Sequence, residues 1–351
     1  MSLKDSFSIL IKSLLFLAVL FLPSEFLLRF LGSPNYRLSD LYSNIEFYEK
    51  TFRMHPNSFV VQEERYGDIK YEFNKEGFRD KNHEINTNNH KIIILGDSVS
   101  FGLGVRQNLI YPRLLENKLN KNNRNKFEVL NFSLFAYGIN HELIVLKDFG
   151  LKYKPSLIIL QFYMNDLLGY SFQTSNNVLD FSLEKINNKL LASEHLILYK
   201  SLLYKKLKQM SSRLFYLMFH DLRRQIPFTL NSLVPQECKD CLLNLKKNDT
   251  PVEYFKLLKE MSGIAKSNGI NFILVISPNE VQLFNEDYDV INASVFEFCG
   301  KEGIICLDPL NEMRASSLKL KFFNDGVHFS QIGHDFFANH LLKELNLRKL
   351  I

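Results

Sequence analysis

From residue 91 onward the chain alternates short, unbroken apolar runs with longer stretches whose apolar residues recur every three or four positions. Ile92-Ile93-Ile94-Leu95, Leu157-Ile158-Ile159-Leu160 and Phe272-Ile273-Leu274-Val275-Ile276 show the pattern of strands covered on both faces. The runs predict strands at 91–96, 127–131, 156–162, 270–276 and 303–307. The three-to-four spacing predicts helices at 111–121, 140–150, 251–267, 294–300 and 330–345, the last with Ser330 as N-cap. Strands alternating with helices imply an α/β fold: a three-layer α/β/α arrangement around a flavodoxin-like, parallel, five-stranded sheet.

Two regions depart from that rhythm. Residues 13–24 carry no charge, and Phe7 to Ile11 extends the apolar character across the single Lys12. That length just spans a bilayer, and Lys4 and Lys12 ahead of it favour a cytoplasmic N-terminus with the rest of the chain exported. Pro23-Ser24-Glu25 is a poor cleavage site, so an uncleaved N-terminal membrane anchor over 1–31 is preferred to a signal peptide. The expected location is the cytoplasmic (inner) membrane, single pass, with the remaining chain on the periplasmic or extracellular side. Residues 32–90 read as an irregular, polar extension, and 91–351 as the main domain. Within that domain an insertion at about 168–249 is long enough to hold helices of its own. One of them, at 193–219, places Leu196, Tyr199, Leu203 and Leu207 at helical spacing; it suits a lid or substrate groove, or equally a helix packed on the core.

Composition narrows the class. With 46% hydrophobic and 23% charged residues the chain is a folded globular one. The net charge of +5 comes from dispersed lysines and arginines without interleaved aromatics, which argues against nucleic acid as a partner. The four cysteines fall in two local pairs, Cys238/Cys241 and Cys299/Cys306. Either pair suits a disulfide in an exported chain, whereas no neighbouring His or Cys completes a metal-ligand pattern. No metal and no organic cofactor is called for.

The chemistry lies in four blocks just beyond predicted strand ends or at a helix start. They are Gly96-Asp97-Ser98, Asn131-Phe132-Ser133 running to Gly138, Tyr163-Met164-Asn165-Asp166, and Asp325-Gly326-Val327-His328. Open α/β sheets gather ligands at the carboxyl edge, where these loops meet. Serine is a weak nucleophile unless a base removes its proton, and an Asp-x-x-His turn supplies the base with the carboxylate that orients it. Asp97 reads as a helix-start or loop-bracing carboxylate, His141 and His334 as helix-terminal or surface residues, and Asp308-Pro309 as a turn.

These four blocks, in this order, resemble the SGNH (GDSL-type) hydrolase superfamily of α/β/α esterases and acyltransferases, over roughly 91–345. Anchored bacterial relatives also resemble the chain in Gly77-Phe78-Arg79-Asp80. The resemblance implies Ser98 as nucleophile, His328 as general base and Asp325 as its orienting carboxylate. It implies an oxyanion hole from the N–H groups of Ser98 and Ala136 and the side chain of Asn165. Two positions depart from the family pattern. Ala136 stands where glycine is usual, which preserves the geometry only if the turn needs no positive φ; Gly138 offers a shifted substitute. Tyr163 stands two residues before Asn165, where glycine is usual, and is expected to narrow the pocket. The implied activity is a serine-dependent ester hydrolase or O-acyltransferase that takes an acylated carbohydrate or lipid of the cell envelope through an acyl-enzyme. The alternatives are a non-catalytic envelope glycan-binding or scaffolding protein that keeps the fold, and an intracellular hydrolase without an anchor.

Overall fold

The structure, a computed structural model, describes residues 44–168 and 252–351 apart from 49, 65, 66 and 122–125, together with Leu41. The expected anchor, the insertion beyond Leu168, the helix at 193–219 and the Cys238/Cys241 pair lie outside the described residues.

The extension before the main domain is not irregular. Strand β1 (Ile45–Tyr48) pairs antiparallel with β2 (Thr51–Met54), and β3 (Phe59–Glu64) with β4 (Gly67–Glu72). In β4 the alternation is regular: Ile69 and Tyr71 are buried while Lys70 and Glu72 are exposed. A run this short, with half its residues polar, reads as loop unless its period of two is weighed.

The sheet is built from β5 (His90–Leu95), β6 (Phe127–Asn131), β7 (Leu157–Phe162), β8 (Asn271–Ile276) and β9 (Ile305–Leu307). All pairs are parallel and the order is β6-β5-β7-β8-β9, so the first strand of the domain lies second in space. Ile92, Ile93, Ile94 and Leu95 are fully buried; each such side chain contributes about 1.5–3 kcal/mol of transfer free energy.

Among the described residues seven α-helices connect or flank the strands: α1 (Ser98–Phe101), α2 (Tyr111–Asn120), α3 (Ile139–Asp148), α4 (Val252–Ser267), α5 (Asp289–Glu302), α6 (Leu310–Ala315) and α7 (Gln331–Leu347). Residues of α2, α6 and α7 cluster with Ile92, Ile94, Leu157, Ile159 and Ile273 on one face of the sheet. On the other side α4 packs against α3 and β8, and α5 against β9. Helix α5 starts five residues before its expected position because Ile291 and Asn292 are already buried in its first turns. Ser330 does cap α7, accepting from the Gly333 N–H at 3.2 Å. Cys299 on α5 and Cys306 on β9 are free thiols whose Sγ atoms face each other.

Strand β6 is an edge strand, and its outward N–H groups have side-chain acceptors. Phe127 N–H donates to Asn120 Oδ1 at 2.9 Å, Val129 N–H to Glu116 Oε2 at 2.7 Å, and Asn131 N–H to Asp80 Oδ2 at 2.8 Å.

Candidate active site

Ser98 is the first residue of α1, immediately beyond the carboxyl end of β5. Asp97 caps that helix, its carboxylate accepting from the Val99 N–H at 2.9 Å. A left-handed Gly102, at φ +77°, closes the helix after one turn. The chain therefore turns sharply enough to leave the Ser98 hydroxyl at the sheet's edge.

The Asp325–His328 turn comes from the far end of the sequence. Asp325 Oδ1 accepts the N–H groups of Val327 and His328 at 3.0 and 2.8 Å, and Asp325 Oδ2 lies 2.7 Å from His328 Nδ1. A carboxylate only accepts, so Nδ1 carries the proton and Nε2 is left as acceptor. Nε2 lies 2.8 Å from Ser98 Oγ, which completes an unbroken hydrogen-bonded chain from Ser98 through His328 to Asp325. Burial works to raise the Asp325 carboxyl, but the His328 ring and the two N–H donors outweigh it and hold the group below the usual carboxylate range. Phe323 and Phe329, on either side of the turn, form an antiparallel bridge, and within it the Gly326 carbonyl accepts from the Glu280 N–H at 2.8 Å.

Ala136 and Asn165 lie beyond the ends of β6 and β7, the two strands that flank β5. Ile94 is in register with Asn131 and Leu95 with Leu160, so the sheet brings the loops bearing Ser98, Ala136 and Asn165 side by side. Asn165 sits in a 3₁₀ turn, Met164–Leu168, held by Asp166: its carboxylate accepts the Tyr163 N–H, and its own N–H donates to the Tyr163 carbonyl, both at 3.0 Å.

The turn does require a positive φ, and it falls on Ala136 (φ +61°). Gly138 is not a substitute: it is the extended N-cap of α3 at φ −136°. Tyr163 is 1% exposed, so its ring is buried rather than displayed at the surface.

His141 and His334 are in the first turns of α3 and α7, but neither is a surface residue; both are fully buried. His141 Nδ1 lies 3.2 Å from Thr51 Oγ1. His334 Nδ1 accepts the Tyr111 N–H at 3.2 Å, and burial drives its pKa down to about 3. Asp308 braces the turn after β9, accepting from Leu310 N–H and Asn292 Nδ2.

Several supporting residues have no motif to reveal them. Gln161 on β7 accepts from Ser100 Oγ at 2.8 Å and from the Asp97 N–H at 3.3 Å, and Ser100 Oγ meets the Tyr111 hydroxyl at 2.6 Å. A glutamine inside the apolar run Leu157-Ile158-Ile159-Leu160-Gln161-Phe162 is the one signal, because a buried amide requires partners. Glu142 and Asp166 are also buried; burial and their negative neighbours raise both carboxyls well above the ordinary range. A cavity of about 560 Å³ opens elsewhere, at the amino end of β6 beside His83 and Glu128. Among the described residues no group of three or more His, Cys, Asp or Glu is placed to hold a metal ion.

A parallel α/β/α sheet with a hydrogen-bonded Ser-His-Asp chain at its carboxyl edge has the arrangement of an ester hydrolase. The family described as GDSL-like lipase/acylhydrolase matches residues 92–341, and the chain belongs to that family; it is a hydrolase acting on ester bonds. Among solved structures the chain is similar to TesA (13% identity, TM-score 0.44, 75% of this chain and 100% of that one). It is similar too to a lipase/acylhydrolase from Enterococcus faecalis (14% identity, TM-score 0.42, 74% and 96%). A third is the acetyl xylan esterase AlAXEase (15% identity, TM-score 0.41, 73% and 99%). No curated protein matches the chain by sequence.

Proposed function

We propose that the chain cleaves, or transfers the acyl group of, an acylated carbohydrate or lipid of the cell envelope, with Ser98 as nucleophile. The observation that carries this reading is the continuous chain Ser98 Oγ–His328 Nε2 and His328 Nδ1–Asp325 Oδ2. His328 removes the Ser98 proton as Oγ bonds to the ester carbonyl carbon. Negative charge develops on the carbonyl oxygen, and the N–H groups of Ser98 and Ala136 with the Asn165 amide stabilise it. The tetrahedral adduct collapses, the C–O bond to the alcohol breaks, and His328 returns the proton to that alcohol. Water, or a second alcohol, then repeats the sequence in reverse and frees Ser98. Asp325, held ionised, keeps the ring oriented and balances the imidazolium. The apolar segment at 7–24 supports an envelope location, with the domain beyond the membrane and a single anchor within it.

Fluorophosphonate labelling of the chain from residue 32 onward, beside Ser98→Ala, tests this, with acetyl, butyryl and octanoyl nitrophenyl esters turned over in parallel. Labelling and hydrolysis should both vanish in Ser98→Ala; labelling that persists there removes Ser98 as nucleophile. Preference for acetyl esters favours a glycan, preference for octanoyl a lipid. Fast labelling with slow hydrolysis marks a transferase that needs its acceptor alcohol.

A further inference from the structure

Arg79 is fully buried, and among the described residues no carboxylate forms an ion pair with it. Its guanidinium is spent on three carbonyls instead: Nη1 donates to Phe101 O at 2.8 Å and to Gly102 O at 2.6 Å, and Nη2 to Val105 O at 2.5 Å. All three lie at the end of α1, the helix that begins with Ser98, or in the loop that follows it. The rings of Tyr71 and Phe101, stacked on each other, have their centroids 4.2 and 5.2 Å from the guanidinium carbon. The Tyr71 hydroxyl accepts the Gly104 N–H at 2.9 Å, so the same loop is held from a second side. Burial lowers the guanidinium pKa to about 10, which still leaves it charged at neutral pH.

We infer that Arg79 is a positioning residue for the nucleophile: its buried fork clamps the carbonyls of Phe101, Gly102 and Val105 and so fixes where Ser98 stands relative to His328. This rests on Ser98 being the nucleophile. A rigid planar fork sets the relative placement of several acceptors, which a lysine's single point of charge does not. The clamped loop also borders the base, since Gly104 lies against the Asn324 side chain, one residue before Asp325. Loosening residues 101–105 therefore disturbs the 2.8 Å Ser98–His328 contact. Charge in a dry interior is costly unless it is well bonded. Here its bonds converge on five residues of backbone, 101–105, just beyond the reacting hydroxyl.

The test uses the full chain in its parent, Arg79→Ala and Arg79→Lys forms. It reads thermal unfolding, the rate constant of fluorophosphonate labelling, ester kcat and KM separately, and amide hydrogen exchange of the 98–105 peptide. In folded Arg79→Ala, labelling and kcat should fall by about a hundredfold, the size expected when reacting groups are misplaced by roughly an ångström, with KM little changed. Exchange should accelerate at 98–105 but not in β5 or β7, and added methylguanidine should restore part of the labelling rate. A folded variant with parental labelling and parental exchange at 98–105 overturns the inference. If Arg79→Ala does not fold, Arg79→Lys decides on the same readouts: parental labelling overturns the inference, a loss with faster loop exchange supports it. If the parent itself does not label, the nucleophile assignment fails separately. The exchange comparison then still judges the clamp, supported by faster exchange confined to 98–105 and overturned by none.

Discussion

Ala136 carries a strain that a glycine there would not. A side chain in the left-handed region costs roughly 1–2 kcal/mol, against which glycine's extra chain entropy costs roughly 0.5–1 kcal/mol. Ala136→Gly is therefore expected to stabilise the protein by up to about 1.5 kcal/mol, read as a higher urea midpoint at unchanged slope. The N–H stays in place, so ester turnover should change little. Asn165 is the opposite case. Its amide donates without titrating, and Asn165→Ala should lower kcat by about a hundredfold to a thousandfold while KM moves less. The departure at 136 was legible as a residue type; which residue of 136–138 takes the positive φ was not, because a turn's φ values depend on where the strand before it ends. Gln161, Arg79 and Tyr71 act through hydrogen bonds to residues distant in sequence, and although Arg79 falls in a recognisable segment, no local pattern shows which partners such bonds reach.

At the scale of elements, the Gly77-Phe78-Arg79-Asp80 segment joins the extension to the catalytic loops. Gly77 is left-handed (φ +84°) and lies against the Met54 carbonyl, which leaves no room for a side chain. Beyond it, His83 sits between two carboxylates, with Nε2 3.1 Å from Asp80 and Nδ1 3.0 Å from Glu128. Burial opposes a charge on His83, but the bonds to Asp80 and Glu128 prevail and raise its pKa above the ordinary 6.5. For Asp80 and Glu128, burial pushes upward yet is outweighed, by Arg113 and His83 for the first and chiefly by His83 for the second, so both lie low. A raised histidine contributes stability that is whole below its unfolded value and is lost as pH rises through the folded one. Depressed carboxylates contribute stability that is lost as pH falls through their folded values. Unfolding free energy should therefore decline above about pH 6.5, where the unfolded histidine titrates, and His83→Gln should flatten that decline in urea titrations across pH 6–9. The helices and central strands were legible because each carries its own period. The hairpins of the extension were not, because β1 to β4 are four to six residues long and depend on the domain for burial.

For the molecule as a whole, the sheet order follows from the alternation of strands and helices, and the site follows from the sheet order. The blocks carrying Ser98, Ala136 and Asn165 stand on neighbouring strands, while the base arrives from a loop more than two hundred residues later. That distant contact was legible only as a juxtaposition of motifs, since nothing local ties residue 98 to residue 328. The proposed envelope location makes its own prediction: the full chain should sediment with membranes and resist extraction by carbonate, and the chain from residue 32 onward should not. Recovery of the full chain in the supernatant would remove the anchor from the reading.

The side-chain acceptors along β6 have a consequence for assembly. An edge strand with free N–H groups is a template on which another chain can add a strand. In β6 every second residue, 127, 129 and 131, already has its N–H taken, by an asparagine and a glutamate of α2 and by Asp80 of the extension. Side chains thus stand where a sixth strand's carbonyls would, and β9, at the far edge, is only three residues long. Growth of the sheet by recruitment of a second molecule at β6 is closed off by the same aspartate that ties the extension to the loop bearing Ala136.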